Sequence, residues 1–179
     1  FNNQRHYVQS VAKGLVGVAA SDGELLWKHN RPITPTGLNC STPIYQEGLV
    51  FAASAYGGGG VLVKLAVDDS GGISTDEIWI SSDMENHHGG MVVVDGCLYG
   101  ANGDVGGGYL VCLDFQTGET LWNEGDRDKQ GVSKGSLMFA DERIYYRTEE
   151  GAMLLIEPNR DGYLERGRFE QPDRSRKLA

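Results

Sequence analysis

The chain has 179 residues, with 16 Lys and Arg against 25 Asp and Glu, and a formal net charge of −9. That balance excludes a nucleic-acid backbone partner, which needs clustered positive charge. No run of 18 apolar residues is present, so no membrane span is predicted.

At the front, apolar strands are predicted over residues 15–18 and 25–27, joined by the turn Asp22-Gly23-Glu24. A complete unit follows. It runs through a strand at 42–45, the turn Glu47-Gly48, a strand at 49–53, the glycine run 56–60, a strand at 61–65 and an outer strand ending 78–80. The next unit is the clearest. Residues 90–94 are apolar, Asp95-Gly96 is a two-residue hairpin signal, 97–101 and 109–113 are strands around a Gly-rich loop, and an outer strand ends at Trp122. The last unit repeats the order: 136–139, Asp141-Glu142, 144–146, 153–156 and an outer strand from 163 to 169. A glycine-run phosphate cradle at 56–60 lacks the Lys-Ser/Thr pair and the following helix, so the glycines are read as turn residues.

Each unit ends on an aromatic: Trp27, Trp79, Trp122 and Phe169, spaced 52, 43 and 47 residues apart. About 40–50 residues with four short strands per unit is the signature of β-propeller blades. The predicted fold is all-β, a propeller segment of about three and a half four-stranded antiparallel blades. The units are a partial blade at 1–32, blades at 40–82, 88–125 and 134–170, and a charged tail or linker at 173–179. Such a segment does not close a ring of 4–8 blades. The remaining blades of a longer chain are therefore its first expected partner. A blade face without its neighbour exposes about half a dozen apolar side chains at ~1.5–3 kcal/mol each. That is on the order of 10 kcal/mol, comparable to a whole domain's stability. The first strand of each blade is nearly all apolar, as expected for strands covered on both faces, and the outer strands carry charge.

The three cysteines, Cys40, Cys97 and Cys112, form neither a disulfide framework nor a metal spacing. With the 102–108 loop centred near Val105, Cys97 and Cys112 fall one step out of register on opposite faces, and no bond between them is expected.

In a blade, the loop entering the first strand and the loop joining strands two and three open on one side. Aligned at the acidic turns, Cys40, His88 and Lys134 are equivalent, as are Asn39, His87 and Ser133 one step earlier. With Asn86 they are the candidate ligand-binding residues at the mouth of the central channel. A polar channel lining, a carbohydrate, peptide or quinone site, and a metal site through Cys40, His87 and His88 all use these residue types. Neighbouring residues on a strand point to opposite sides, so a shared metal requires a loop conformation, and no metal site is assigned. Carboxylates on the same side are Asp83, Glu85, Asp104 and Glu149.

Residues 113–122, Leu-Asp-Phe-Gln-Thr-Gly-Glu-Thr-Leu-Trp, resemble the tryptophan-docking repeat of the PQQ-type (pyrroloquinoline-quinone) propellers. Residues 19–27 are a looser copy, and 73–79 and 161–169 are degenerate ones. The resemblance implies that Trp27, Trp79, Trp122 and Phe169 are docking residues and that a turn glycine such as Gly118 receives the ring of the neighbouring blade. It also implies a bacterial protein in the periplasm or secreted; these residues contain no signal-peptide core. Members include quinoprotein alcohol dehydrogenases, which use PQQ and Ca²⁺, and scaffolds such as the outer-membrane assembly lipoprotein. An adjacent cysteine pair, common in the enzymes, is absent here. The reading is a module that binds a protein or carbohydrate ligand through its channel mouth. The alternatives are a fragment of a PQQ-dependent alcohol dehydrogenase and a periplasmic scaffold for protein assembly.

Overall fold

The structure, a computed structural model, describes residues 1–31, 33–104, 107–124 and 132–172. The charged tail at 173–179, and Val105 at the centre of the expected turn, lie outside them. Fifteen strands build four antiparallel sheets in sequence order. Sheet 1 is β1 (His6–Val11), β2 (Gly14–Ala19) and β3 (Leu25–His29). Sheet 2 is β4 (Ile44–Gln46), β5 (Leu49–Ser54), β6 (Gly59–Val67) and β7 (Ile73–Ser81). Sheet 3 is β8 (Met91–Val94), β9 (Cys97–Asn102), β10 (Tyr109–Asp114) and β11 (Thr120–Glu124). Sheet 4 is β12 (Gly135–Ala140), β13 (Arg143–Thr148), β14 (Ala152–Ile156) and β15 (Glu165–Glu170). The all-β propeller reading holds, and β1 is an addition to it. Its alternating polar and apolar residues, His-Tyr-Val-Gln-Ser-Val, lack the continuous apolar run that marks the other second-position strands.

The acidic turns join the first two strands of sheets 2, 3 and 4. Glu47 and Gly48, Asp95 and Gly96, and Asp141 and Glu142 all sit at positive φ, the tight hairpin geometry that matches strand twist. Strand alternation then divides each sheet between two neighbours. Val50, Ala52, Val61 and Val63 pack toward sheet 1 with Leu15 and Trp27. Phe51, Leu62 and Trp79 pack toward sheet 3 with Leu98, Val111 and Leu113. On the other side of sheet 3, Tyr99, Leu110 and Cys112 meet Ile144, Tyr146 and Leu154 of sheet 4. Three apolar layers thus join four sheets face to face.

Three expectations change in detail. The second and third strands of sheets 2 and 3 are the buried ones; the first strands β4, β8 and β12 are partly exposed. An edge strand has a neighbour on one side only, so it is covered less than the middle of its sheet. Cys97 and Cys112 face the same side. The pairing Asn102↔Tyr109 sets Cys97 opposite Asp114 and Cys112 opposite Tyr99, half a residue from a turn centred on 105. Both thiols are free and buried, and burial pushes the Cys112 pKa up. The third change concerns the aromatic repeat. In every sheet the last pairing shifts at a bulge, and the residue opposite the position just before that shift is Trp27, Trp79 or Trp122. In sheet 4 that place belongs to Gly167, opposite Leu155; Phe169 stands two residues on, opposite Met153. The outer faces of the end sheets expose apolar side chains, the expected feature of a face without a neighbour. Tyr7, Val18 and Leu25 form one cross-strand row on sheet 1. Met138, Tyr145 and Leu155 form another on sheet 4. Tyr7, Leu25, Met138 and Phe169 are among the most exposed apolar side chains described.

Candidate functional site

The tryptophans show how the sheets are positioned. Asp114 Oδ1 accepts from the Gln116 and Thr117 backbone N–H groups, and Gly118 N donates to Asp114 O, which fixes the turn. Burial raises the Asp114 pKa, and the Arg160 guanidinium with the Thr117 and Gln116 donors outweighs it, so the carboxyl lies below its ordinary value. The Trp79 ring lies over Gly118, where a Cβ would sit 2.5 Å from its atoms. Trp79 Nε1 donates to Phe115 O at 3.1 Å. Trp122 Nε1 donates to Asn159 O of sheet 4 at 2.8 Å. Trp27 lies back over Gly17 of its own sheet and donates to His6 Nδ1 at 3.2 Å. Phe169 is 60% exposed.

One end of the sheets carries the links 31–43 and 82–90 and the hairpin loops after β5 and β9. There Tyr56 Oη and His87 Nε2 are 2.9 Å apart. The His87 ring stands edge-on to Tyr56 at 5.1 Å and tilted beside His88 at 4.7 Å. His88 Nε2 is 3.6 Å from Glu149 Oε1, and Lys134 Nζ is 3.7 Å from the same oxygen. Lys134 is buried and donates to Asp104 O at 2.7 Å. Burial lowers the His87 pKa, helped by the charges of His88 and Lys134 and opposed by Asp104 and Glu149. Its Nδ1 is buried without a hydrogen-bond partner. Glycines permit the close approach of sheets 3 and 4 here. A Cβ on Gly89 would sit 1.9 Å from Gly135 O, and Leu137 N donates to Gly89 O at 3.0 Å.

The expected residues divide. His87, His88 and Lys134 come together, with Tyr56 and Glu149. Asn86 is at the same end but fully buried; its Nδ2 donates to Ala101 O at 3.1 Å and Gly90 O at 3.3 Å, and its Oδ1 lies 2.6 Å from Ser41 Oγ. That amide holds the link in place and has little left for a ligand. Asn39 ties its own link to sheet 1 through Val11 O at 3.1 Å. Cys40 is exposed, and nothing places it in the cluster. Ser133 Oγ is bonded to Glu150, and Ser133 O accepts from the buried Tyr146 hydroxyl at 2.9 Å. Burial and the nearby Glu149 and Glu150 push the Tyr146 pKa upward, so it stays a donor. Of the four carboxylates, Glu149 joins the cluster, and Asp83 Oδ2 accepts from Thr120 Oγ1 at 2.8 Å.

Two cavities open at this end. A cleft of about 10 Å³ lies among His87, His88, Gly103, Lys134, Gly135 and Glu149. It has room for about one water. A larger cavity of about 420 Å³ lies one sheet away, across residues 57–60, against Arg31, Ile33, Pro35, Val61 and Ile80. Sequence reading missed this cavity. Its only signal was the Pro-containing segment 31–35, which must bridge an outer strand to the next sheet. Tyr56 was visible only as the residue heading the glycine run.

A quinone with calcium does not fit these residues. The cleft is far below the ~300–1,000 Å³ of small-molecule sites. The larger cavity has no acidic or amide side chain on its wall. Among the described residues no three His, Cys, Asp or Glu converge as a metal-binding group.

No family model and no curated protein matches the chain. Solved structures do. BamB from Moraxella catarrhalis superposes with a TM-score of 0.61 at 19% identity, over 93% of this chain and 47% of that one. A europium-containing methanol dehydrogenase gives a TM-score of 0.61 at 14% identity, over 92% of this chain and 39% of that one. This chain therefore spans about half or less of either protein. At such identities the likeness establishes architecture. Four stacked antiparallel sheets, superposing on both structures, give this chain the fold of a β-propeller segment.

Proposed function

We propose that the chain is a binding module that takes a protein or carbohydrate ligand at the loop end, on the surface made by Tyr56, His87, His88 and Glu149, with Lys134 buried beneath it. One observation carries this reading: side chains from sheets 2 and 4 and the link before sheet 3 converge on one polar and aromatic surface. The Tyr56, His87 and His88 rings offer area at low entropic cost, and the exposed Glu149 carboxylate, backed by the buried Lys134, offers charge. The cleft beneath is water-sized, so a partner lies across the surface rather than entering it. The architecture shared with BamB is compatible with a scaffold role, and a periplasmic or secreted location follows from the family resemblance. No described helix is long and apolar enough to cross a membrane.

The test is an NMR titration of the protein with a panel of soluble oligosaccharides and peptides. Saturable shifts confined to residues 56–58, 86–89, 134 and 149, abolished by the double change His87→Ala/His88→Ala, are expected. Binding that survives the double change unaltered places the site elsewhere. Alcohol-dependent reduction of an artificial electron acceptor after incubation with the quinone and Ca²⁺ would replace this reading with the dehydrogenase one.

A further inference from the structure

We propose that the 420 Å³ cavity between sheet 2 and the link that enters it is a separate site for a small amphipathic monocarboxylate, gripped at its charged end by Arg31 and along its body by Ile33, Val61 and Ile80. The volume lies within the range of small-molecule sites. Ile80 and Val61 are directly opposite each other in the β6–β7 register, so they form one continuous apolar wall. Ile80 is 48% exposed, on an outer strand otherwise rich in polar residues. Ile33 and Pro35 face that wall from the link.

The polar end is specific. Arg31 touches one group, Glu77, through Nε at 3.4 Å. Among the described residues its two terminal amines have no partner. A guanidinium presents five donors in a planar fork, and a carboxylate accepts two of them side by side. A neutral group of the same shape makes weaker bonds with the same fork, so charge should separate a carboxylate from its alcohol. The floor is bare backbone. A Cβ on Gly58 would sit 2.6 Å from Ile33 O and 2.7 Å from Ser54 O, so the loop cannot carry a side chain there, and Gly57, at φ +75°, faces open space. Glu77 is the built-in competitor. It also lies 3.7 Å from His29 Nε2, so it keeps a neighbour when a ligand takes Arg31.

The experiment titrates the whole chain with octanoate and with 1-octanol, followed by amide shifts in NMR. Octanoate should give saturable shifts at residues 57–61 and 80, and octanol should bind at least about tenfold more weakly. Arg31→Gln should weaken octanoate about tenfold without moving the urea midpoint. Ile80→Ala should weaken both probes, and Glu77→Gln should tighten octanoate by freeing the guanidinium. Equal binding of the two probes, unchanged octanoate affinity in Arg31→Gln, or no saturation with octanoate overturns the proposal. Shifts centred instead on His87 and Lys134 also overturn it, while leaving the loop-surface reading standing.

Discussion

The junction of sheets 2 and 3 and the junction of sheets 1 and 2 use the same parts differently. In both, a tryptophan on an outer strand is buried between sheets, and a turn glycine at positive φ lies on the next sheet. Between sheets 2 and 3 the two meet: Trp79 covers Gly118 and bonds Phe115 O. Between sheets 1 and 2 they do not. Trp27 covers Gly17 of its own sheet, and a Cβ on Gly71 would meet nothing within 4 Å. The β6–β7 hairpin has nine residues per strand, against six and five in β10–β11, so its turn lies farther along the strand. The difference teaches that the repeat dictates burial of the ring, while hairpin length decides what the ring grips.

The comparison can be broken most forcefully at Trp79. Trp79→Ala should cost about 3–5 kcal/mol in urea unfolding, the range for emptying a buried aromatic site. Combining it with Gly118→Ala should cost much less than the sum of the two, because the ring that the new methyl strikes is gone. Additive costs would mean that the ring and the turn are independent. Next comes the glycine pair. Gly118→Ala and Gly71→Ala share the penalty of positive φ, but only Gly118→Ala drives a methyl into an indole. It should therefore cost about 1–3 kcal/mol more. Equal costs would erase the distinction between the junctions. Trp122→Phe is milder. It removes the bond to Asn159 O and should lower stability by about 0.5–1.5 kcal/mol.

The smallest effect is a pH dependence at the sheet 1 end. Burial lowers the His6 pKa, and the positive chain terminus adds to it. Its Nδ1 accepts from Trp27, which requires the neutral ring there. With the folded pKa below the unfolded one, the unfolded state takes up a proton first as the pH falls. Stability should therefore drop from the mid-6 range down to the lowered folded value and level off below it. His87 has the same sign, so His6→Gln should flatten part of that slope. Chemical denaturation at pH 7, 6 and 5 reads it, and a slope identical in the variant assigns the effect elsewhere.

Much of the fold was legible because its signals are local. Asp95-Gly96 and its counterparts announce a tight turn whatever surrounds them, and runs such as residues 61–65 announce a covered strand. The Asp114-to-Gly118 turn with Trp122 carried the family likeness on its own. Quantities set by register were not legible. Cys97 changed face on half a residue of loop, and Phe169 lost its place to Gly167 because a bulge, not residue spacing, defines the position. At the loop end, His88 and Lys134 occupy equivalent places before first strands, and His87 lies one step earlier. Not legible was the role of Asn86, whose amide is consumed by Ser41, Ala101 and Gly90, contacts made between distant segments. The larger cavity left almost no trace, since Arg31 and Ile33 reach Val61 and Ile80 only once the link has folded back over sheet 2.

Gly167 has a mechanical consequence. At the position where the other three sheets carry an indole, sheet 4 has only a hydrogen atom. A further sheet laid on that face would meet the row of Met138, Tyr145 and Leu155 and no indole. Under tension along the stack, such a joint would part before those closed by Trp79 and Trp122.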